Sequence, residues 1–157
     1  MRLRRHSRAR RGATLVEGAI IASAFLLLLL GMIDLGVGVF RHNVISQAAR
    51  HGVRRAIVHG EKVLPGYDGG RWKPSASNTV GPVAASASSH PILAEVRPML
   101  VACNPDATMV TVDWPDSGDA VEQRVRVTIT TPYQPILTSF FGGSITLTAS
   151  STMPIAH

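Results

Sequence analysis

Residues 13–58, ATLVEGAIIASAFLLLLLGMIDLGVGVFRHNVISQAARHGVRRAIV, decide the architecture. Within them, Gly18 to Ile33 is sixteen residues without a charge and includes the run Leu26 to Leu30. A helix needs about twenty mostly apolar residues to cross a bilayer core. The flanks supply the missing length, because Ala13 to Phe40 is interrupted only by Glu17 and Asp34. At about 1.5 Å per residue these two acids lie about 25 Å apart, near opposite edges of the hydrocarbon. From Arg41 to Val58 the pattern changes without a turn signal. Ile45, Ala48, Ala49, Val53, Ala56 and Ile57 recur at three- and four-residue spacing, while Asn43, Gln47, Arg50, Arg54 and Arg55 fill the other face. That predicts an amphipathic helix over 41–59 continuing the span over 13–40, with Gly52 its weak point. Together they form a rod of about 70 Å.

Before the rod lies a basic leader, residues 1–12, holding Arg2, Arg4, Arg5, Arg8, Arg10 and Arg11 and no acid. The chain has 157 residues, sixteen Lys+Arg against ten Asp+Glu and a net charge of +6. Setting the six leader arginines aside leaves basic and acidic residues balanced, so no folded face carries the excess charge that nucleic-acid binding needs. A positive block before an apolar run instead sets membrane topology. It keeps 1–12 in the cytoplasm and sends 60–157 across as an extracytoplasmic domain. A secretory signal with a small-x-small cut at Gly36-Val37-Gly38 competes with this reading, although the apolar run continues past that cut through Val39 and Phe40.

Beyond the rod, Gly60 to Ser89 is punctuated by Pro65, Gly66, Gly69, Gly70, Pro74, Gly81 and Pro82 and reads as a flexible loop over 60–89. Ile92, Leu93, Val96, Met99 and Leu100 mark a helix over about 91–101, opened by Pro91 and ended or kinked by Pro98. Three strands follow. Residues 107–114 put Val110, Val112 and Trp114 on one face. Residues 121–131 put Val121, Val125, Val127 and Ile129 inward. Residues 144–153 carry Ile145, Leu147, Ala149 and Met153 on one side. An antiparallel sheet with one apolar face needs a cover, and the amphipathic helix is the available one. The fold class is therefore α+β, a long N-terminal helix packed on a small C-terminal antiparallel sheet.

Nothing in the chain makes a recognisable catalytic or metal pattern, so no enzyme activity and no cofactor are expected. Asp113, Asp116 and Asp119 recur every third residue in a turn, without the twelve-residue calcium loop and its closing Glu. His42, His51 and His59 lack zinc-binding spacing and read as a solvated helix face. The single cysteine, Cys103, allows no intrachain disulfide and has only a distant His90 as a base. Ser139 and Ser144 lack a nucleophile-elbow pattern.

The stretch Arg10-Arg11-Gly12-Ala13-Thr14-Leu15-Val16-Glu17 resembles the prepilin processing motif of type IV pilins: a basic leader ending in Gly, with Glu five residues on in an apolar helix. Ala48-Ala49-Arg50-His51-Gly52-Val53-Arg54 is similar to a stretch of the TadE-like family, minor pilins or pseudopilins of the tight-adherence pilus machinery. Pro132-Tyr133-Gln134-Pro135-Ile136-Leu137 followed by an ITLTA strand is similar too. The resemblance implies a type IV pilin-like fold and a prepilin peptidase cut between Gly12 and Ala13, which removes all six leader arginines. It also implies that Glu17 pairs with the new Ala13 amine of a neighbouring subunit. The implied partners are the prepilin peptidase, other pilin or pseudopilin subunits with their assembly platform, and the lipid bilayer. The alternative is a signal-anchored extracytoplasmic domain that binds a ligand or protein and has no link to pili.

The leader and the single span make the topology testable. A cysteine introduced at Gly69 in a Cys103→Ser background should react with a membrane-impermeant maleimide on intact spheroplasts. Labelling only after lysis would reverse the orientation.

Overall fold

The computed structural model describes residues 7–64, 70–73, 76–139 and 143–156. One helix, α1 (Ser7–Ala56), runs unbroken through both the apolar and the amphipathic segments. Its fifty residues span about 75 Å at 1.5 Å each. The expected join at residue 40 leaves no mark on the backbone, and the helix ends at Ala56, three residues short of the expected limit.

Among the described residues, four strands form an antiparallel meander in the order β1 (Thr79–Ala84), β2 (Met109–Asp113), β3 (Arg124–Tyr133) and β4 (Ile145–Pro154). The sequence predicts only three. The missed strand, β1, lies inside the stretch 60–89 that reads as loop, because Gly81 and Pro82 look like turn punctuation. Both have a place at the sheet's edge. Pairing slips between Val80 and Val83, forming a bulge that contains Gly81 and Pro82. Gly81 has φ +97°, and a Cβ there would collide with the Val110 carbonyl. Proline has no N–H to contribute to a ladder and is tolerated at an edge bulge.

The helix expected over 91–101 is shorter. Helix α2 (Pro91–Val96) gives way to a 3-10 turn at Arg97–Met99, where Pro98 cannot continue the α-helical ladder. His90 caps α2: Ile92 N donates to its Nδ1 at 3.3 Å, so the ring proton sits on Nε2 and donates to the Trp72 carbonyl at 2.9 Å. Val121 is not inward as the alternation predicts. It is half exposed in a turn, followed by Glu122 at φ 74°, and the strand begins only at Arg124.

Helix α1 covers the apolar face of the sheet. Ile45, Ala48, Ala49, Val53 and Ala56 are buried against Val125, Val127 and Ile129 of β3, Val110 and Val112 of β2, and Ala149 of β4. Helix α2 packs beside α1 in the same core, contributing Ile92, Leu93 and Val96. Gly52 is the point of closest approach rather than a weak spot. A Cβ there would lie 2.9 Å from Val96 Cγ2 and 3.4 Å from Val127 Cγ1, so any larger residue would force helix, sheet and α2 apart. Arg55, expected on the solvated face, reaches across to α2 and donates to Glu95 at 2.7 Å, with His51 3.6 Å from the same carboxylate. The Arg55 hydrogen bond holds the Glu95 carboxyl below its ordinary range.

His59 is also misplaced by the sequence reading. It is buried, its Nδ1 pairs with the Gly70 carbonyl at 2.8 Å, and its ring stacks on Trp72 with centroids 4.0 Å apart. That stack folds the chain after α1 back onto the core, helped by Trp72 N donating to the His59 carbonyl.

The register yields a paired expectation. Val127 is fully buried beneath Gly52, so Val127→Asp should cost on the order of 4 kcal/mol. Arg126, one residue away and exposed, sits directly across from Asp113, so Arg126→Asp places like charges opposite each other and should cost only about 1 kcal/mol. Denaturant melts of the two variants check this, and equal losses would contradict the inward and outward assignment.

Candidate functional site

The N-terminal half of α1 stands clear of the domain. Leu15, Val16, Ile20, Ile21, Phe25 and Leu26 to Leu28 are all more than half exposed, although apolar. Among the described residues, α1 holds the one segment long and apolar enough to cross a membrane. Gly12 and Ala13 lie on its exposed face, and nothing within 4 Å of Gly12 would obstruct a side chain. Arg2, Arg4 and Arg5 fall outside the described residues. Arg8, Arg10 and Arg11 belong by their backbone to the first turns of α1. Glu17 is exposed one helical turn beyond Ala13, and no hydrogen bond or ion pair reaches its carboxylate among the described residues.

Asp34, the second acid of the apolar stretch, has a different setting. Only 8% of it is exposed. Its Oδ1 accepts from Ile136 N at 2.8 Å and its Oδ2 from Leu137 N at 2.8 Å. These amides open the single-turn helix α3 (Ile136–Ser139), where backbone donors lack partners within the turn. Tyr133 adds a third bond, its hydroxyl donating to the Asp34 carbonyl at 2.9 Å. The Tyr133 ring fills the space left by Gly38, where a Cβ would lie 3.3 Å from Cε1, and the Arg41 guanidinium sits over the ring at 5.1 Å from its centroid. Leu137 similarly packs at Gly31. Gly31, Asp34, Gly38, Arg41 and Ile45 are thus one stripe of α1, at three- and four-residue spacing, that receives the end of β3 and the turn after it.

Sequence reasoning put Asp34 at a membrane edge but missed this clamp. The signal was present in the segment Pro132 to Leu137, whose tyrosine and two prolines lead directly into the two donors. What the sequence lacked was a reason to join residues about a hundred positions apart.

The other candidates resolve into ordinary structure. Asp113 and Asp116 face Arg126 and Arg124, and Asp119 is clasped by Arg71. The Arg124 side chain, with its backbone N–H, lowers the Asp116 carboxyl to about 2. Each acid of the turn therefore has its own arginine, and no group of three metal-ligating side chains occurs among the described residues. Burial pushes the Cys103 thiol up, opposite to what a thiolate nucleophile requires.

An exposed apolar helix whose other half is buried under an antiparallel sheet defines a class: an α+β fold mounted on a long helix that carries a candidate membrane span. Residues 12–54 match the model of the TadE-like protein family. The match begins at Gly12 and ends at Arg54, so it takes in Glu17, the apolar run, Asp34 and the packed stripe through Gly52. Over this segment, somewhat more than a quarter of the chain, the protein is similar to TadE-like proteins. No curated protein and no solved structure matches it.

Replacing Asp34 tests the clamp. Asp34→Ala strands two backbone donors and should cost about 1–3 kcal/mol. Tyr133→Phe removes one neutral hydrogen bond and should cost about 1 kcal/mol. In hydrogen exchange, the Ile136 and Leu137 amides should lose protection in Asp34→Ala and keep most of it in Tyr133→Phe.

Proposed function

We propose that this chain is a TadE-like minor pilin or pseudopilin, a non-enzymatic structural or assembly subunit of a tight-adherence pilus machinery. It is inserted with the arginine leader in the cytoplasm and the sheet domain outside. A prepilin peptidase then cuts between Gly12 and Ala13. The cut detaches all six arginines that hold the N-terminus in the cytoplasm and creates a free amine on Ala13.

The contrast between the two acids of the apolar helix carries this reading. Asp34 is satisfied within its own chain by two backbone amides. Glu17 meets no such partner among the described residues. An acid on a spanning helix is costly to leave unpaired, so even near the edge of the hydrocarbon one left unsatisfied by its own fold favours a partner from outside. The Ala13 amine of a neighbouring subunit supplies the opposite charge, and the attraction is stronger in a low-dielectric setting than in water. Retention of the span is favoured by the same geometry: a cut at Gly36-Val37-Gly38 would remove Asp34 and leave the α3 amides without their acceptor.

N-terminal sequencing of the mature protein should begin at Ala13, and Gly12→Val should keep its leader. Glu17→Gln preserves shape and removes charge, so it should be inserted and cleaved yet fail to support pilus formation in a complemented deletion strain. Normal pilus yield from Glu17→Gln would refute the pairing with Ala13, and a mature start at Val39 would refute the pilin route altogether.

A further inference from the structure

The clamp at Asp34 sets the depth of the turn it holds. Leu137 packs not beside Asp34 but at Gly31, with its Cδ1 3.6 Å from where a Cβ would be. Gly31 belongs to the uncharged run Gly18 to Ile33 and lies about 4.5 Å along the axis from Asp34 toward the N-terminus. The domain therefore descends along α1 into the level of the span's own apolar run instead of ending above it. Beside the turn lies an open groove of about 580 Å³ between α1 and the adjoining ends of β3 and β4. Its walls include Leu35, Val39, Leu137, Ile145 and Leu147. The polar groups at its edge are already engaged with one another, since Tyr133 donates to Asp34 and Asp34 accepts from the turn. Leu35, Val39 and Ile145 nevertheless remain half or more exposed. About 10 Å further from the span than Asp34, the chain presents Arg41 and His42.

We propose that this groove seats an acyl chain of a phospholipid in the extracytoplasmic leaflet, with the Pro135–Leu137 turn resting in that leaflet beside it. The occupant follows from three features taken together. The groove wall is continuous with the helix surface that lipid covers in the span, and its lining is apolar at a depth where water is scarce. Its outer end carries the Arg41 guanidinium where a phosphate headgroup lies. The proposal rests on α1 spanning a membrane, and its test separates the two.

Full-length protein with Cys103→Ser is reconstituted into vesicles of phosphatidylcholine and phosphatidylglycerol. Single cysteines at Ile145 (groove), Leu27 (span) and Val101 (exposed, beyond α2) carry an environment-sensitive fluorophore. Quenching is compared between lipids bearing a nitroxide at a shallow or a deep acyl position and iodide in the water. The Ile145 reporter should be quenched several-fold more by the shallow nitroxide than the Val101 reporter is, and should be shielded from iodide. The Leu27 reporter should respond most to the deep nitroxide. If Leu27 responds and Ile145 is as open to iodide as Val101, the lipid seat is wrong while the span stands. If Ile145 is shielded from iodide and nitroxide alike, a protein neighbour covers the groove and the lipid proposal fails. If Leu27 escapes the nitroxides, the span reading falls and this proposal with it. An Ile136→Cys reporter repeats the comparison on the turn itself, so a fold disturbed by labelling at Ile145 cannot decide the result.

Discussion

The carboxylate of Asp34 is the join on which the molecule depends. A charged group on an apolar helix is a liability unless something satisfies it, and a one-turn helix at the end of β3 is a liability unless something accepts its amides. Each cancels the other's cost at a single point. The bond also fixes a boundary. N-terminal to it α1 is exposed and apolar; C-terminal to it the same helix becomes one layer of a two-layer core. Tyr133 and Arg41 build outward from that point, so the end of the sheet nearer the apolar half of α1 is fastened by polar chemistry and the far end by hydrophobic packing around Gly52.

The stripe of α1 that meets the domain mixes two kinds of residue for different reasons. Ile45, Val53 and the alanines contribute buried apolar surface. Gly31, Gly38 and Gly52 contribute proximity, since each faces a side chain from the domain that would otherwise be held off. The Arg55–Glu95 pair at the far end is half exposed and adds position more than stability.

How much of this was legible in the sequence depends on the range of the interaction that decides each element. The long helix, the inward residues of β2 and β3 and the packing of α1 on the sheet were readable, because periodicity is local. The strand β1 was not, since Gly81 and Pro82 mean a turn in most contexts and an edge bulge only beside a partner strand. His59 looked solvated because its neighbours on the helix are charged; it is buried only because Trp72 returns to stack on it. At the site, Gly12, Ala13 and Glu17 stand out by their spacing alone, which is what carries their resemblance to a prepilin motif. Asp34 as a clamp was not, because its partners are about a hundred residues away and contribute backbone amides, which have no sequence signature.

The unbroken course of α1 has a rotational consequence. Because the sheet grips the helix along one stripe, the helix cannot turn about its own axis relative to the domain. Seventeen residues separate Asp34 from Glu17, which at 3.6 residues per turn is about 4.7 turns. Glu17 therefore projects about 100° around the axis from the side that the sheet occupies, and it does so in every copy of the chain. The helix acts as a crankshaft: the azimuth of an acid at the far end of the apolar run is dictated by how the domain is mounted some 25 Å away. Any neighbour that engages Glu17 thereby also learns which way the domain above it faces.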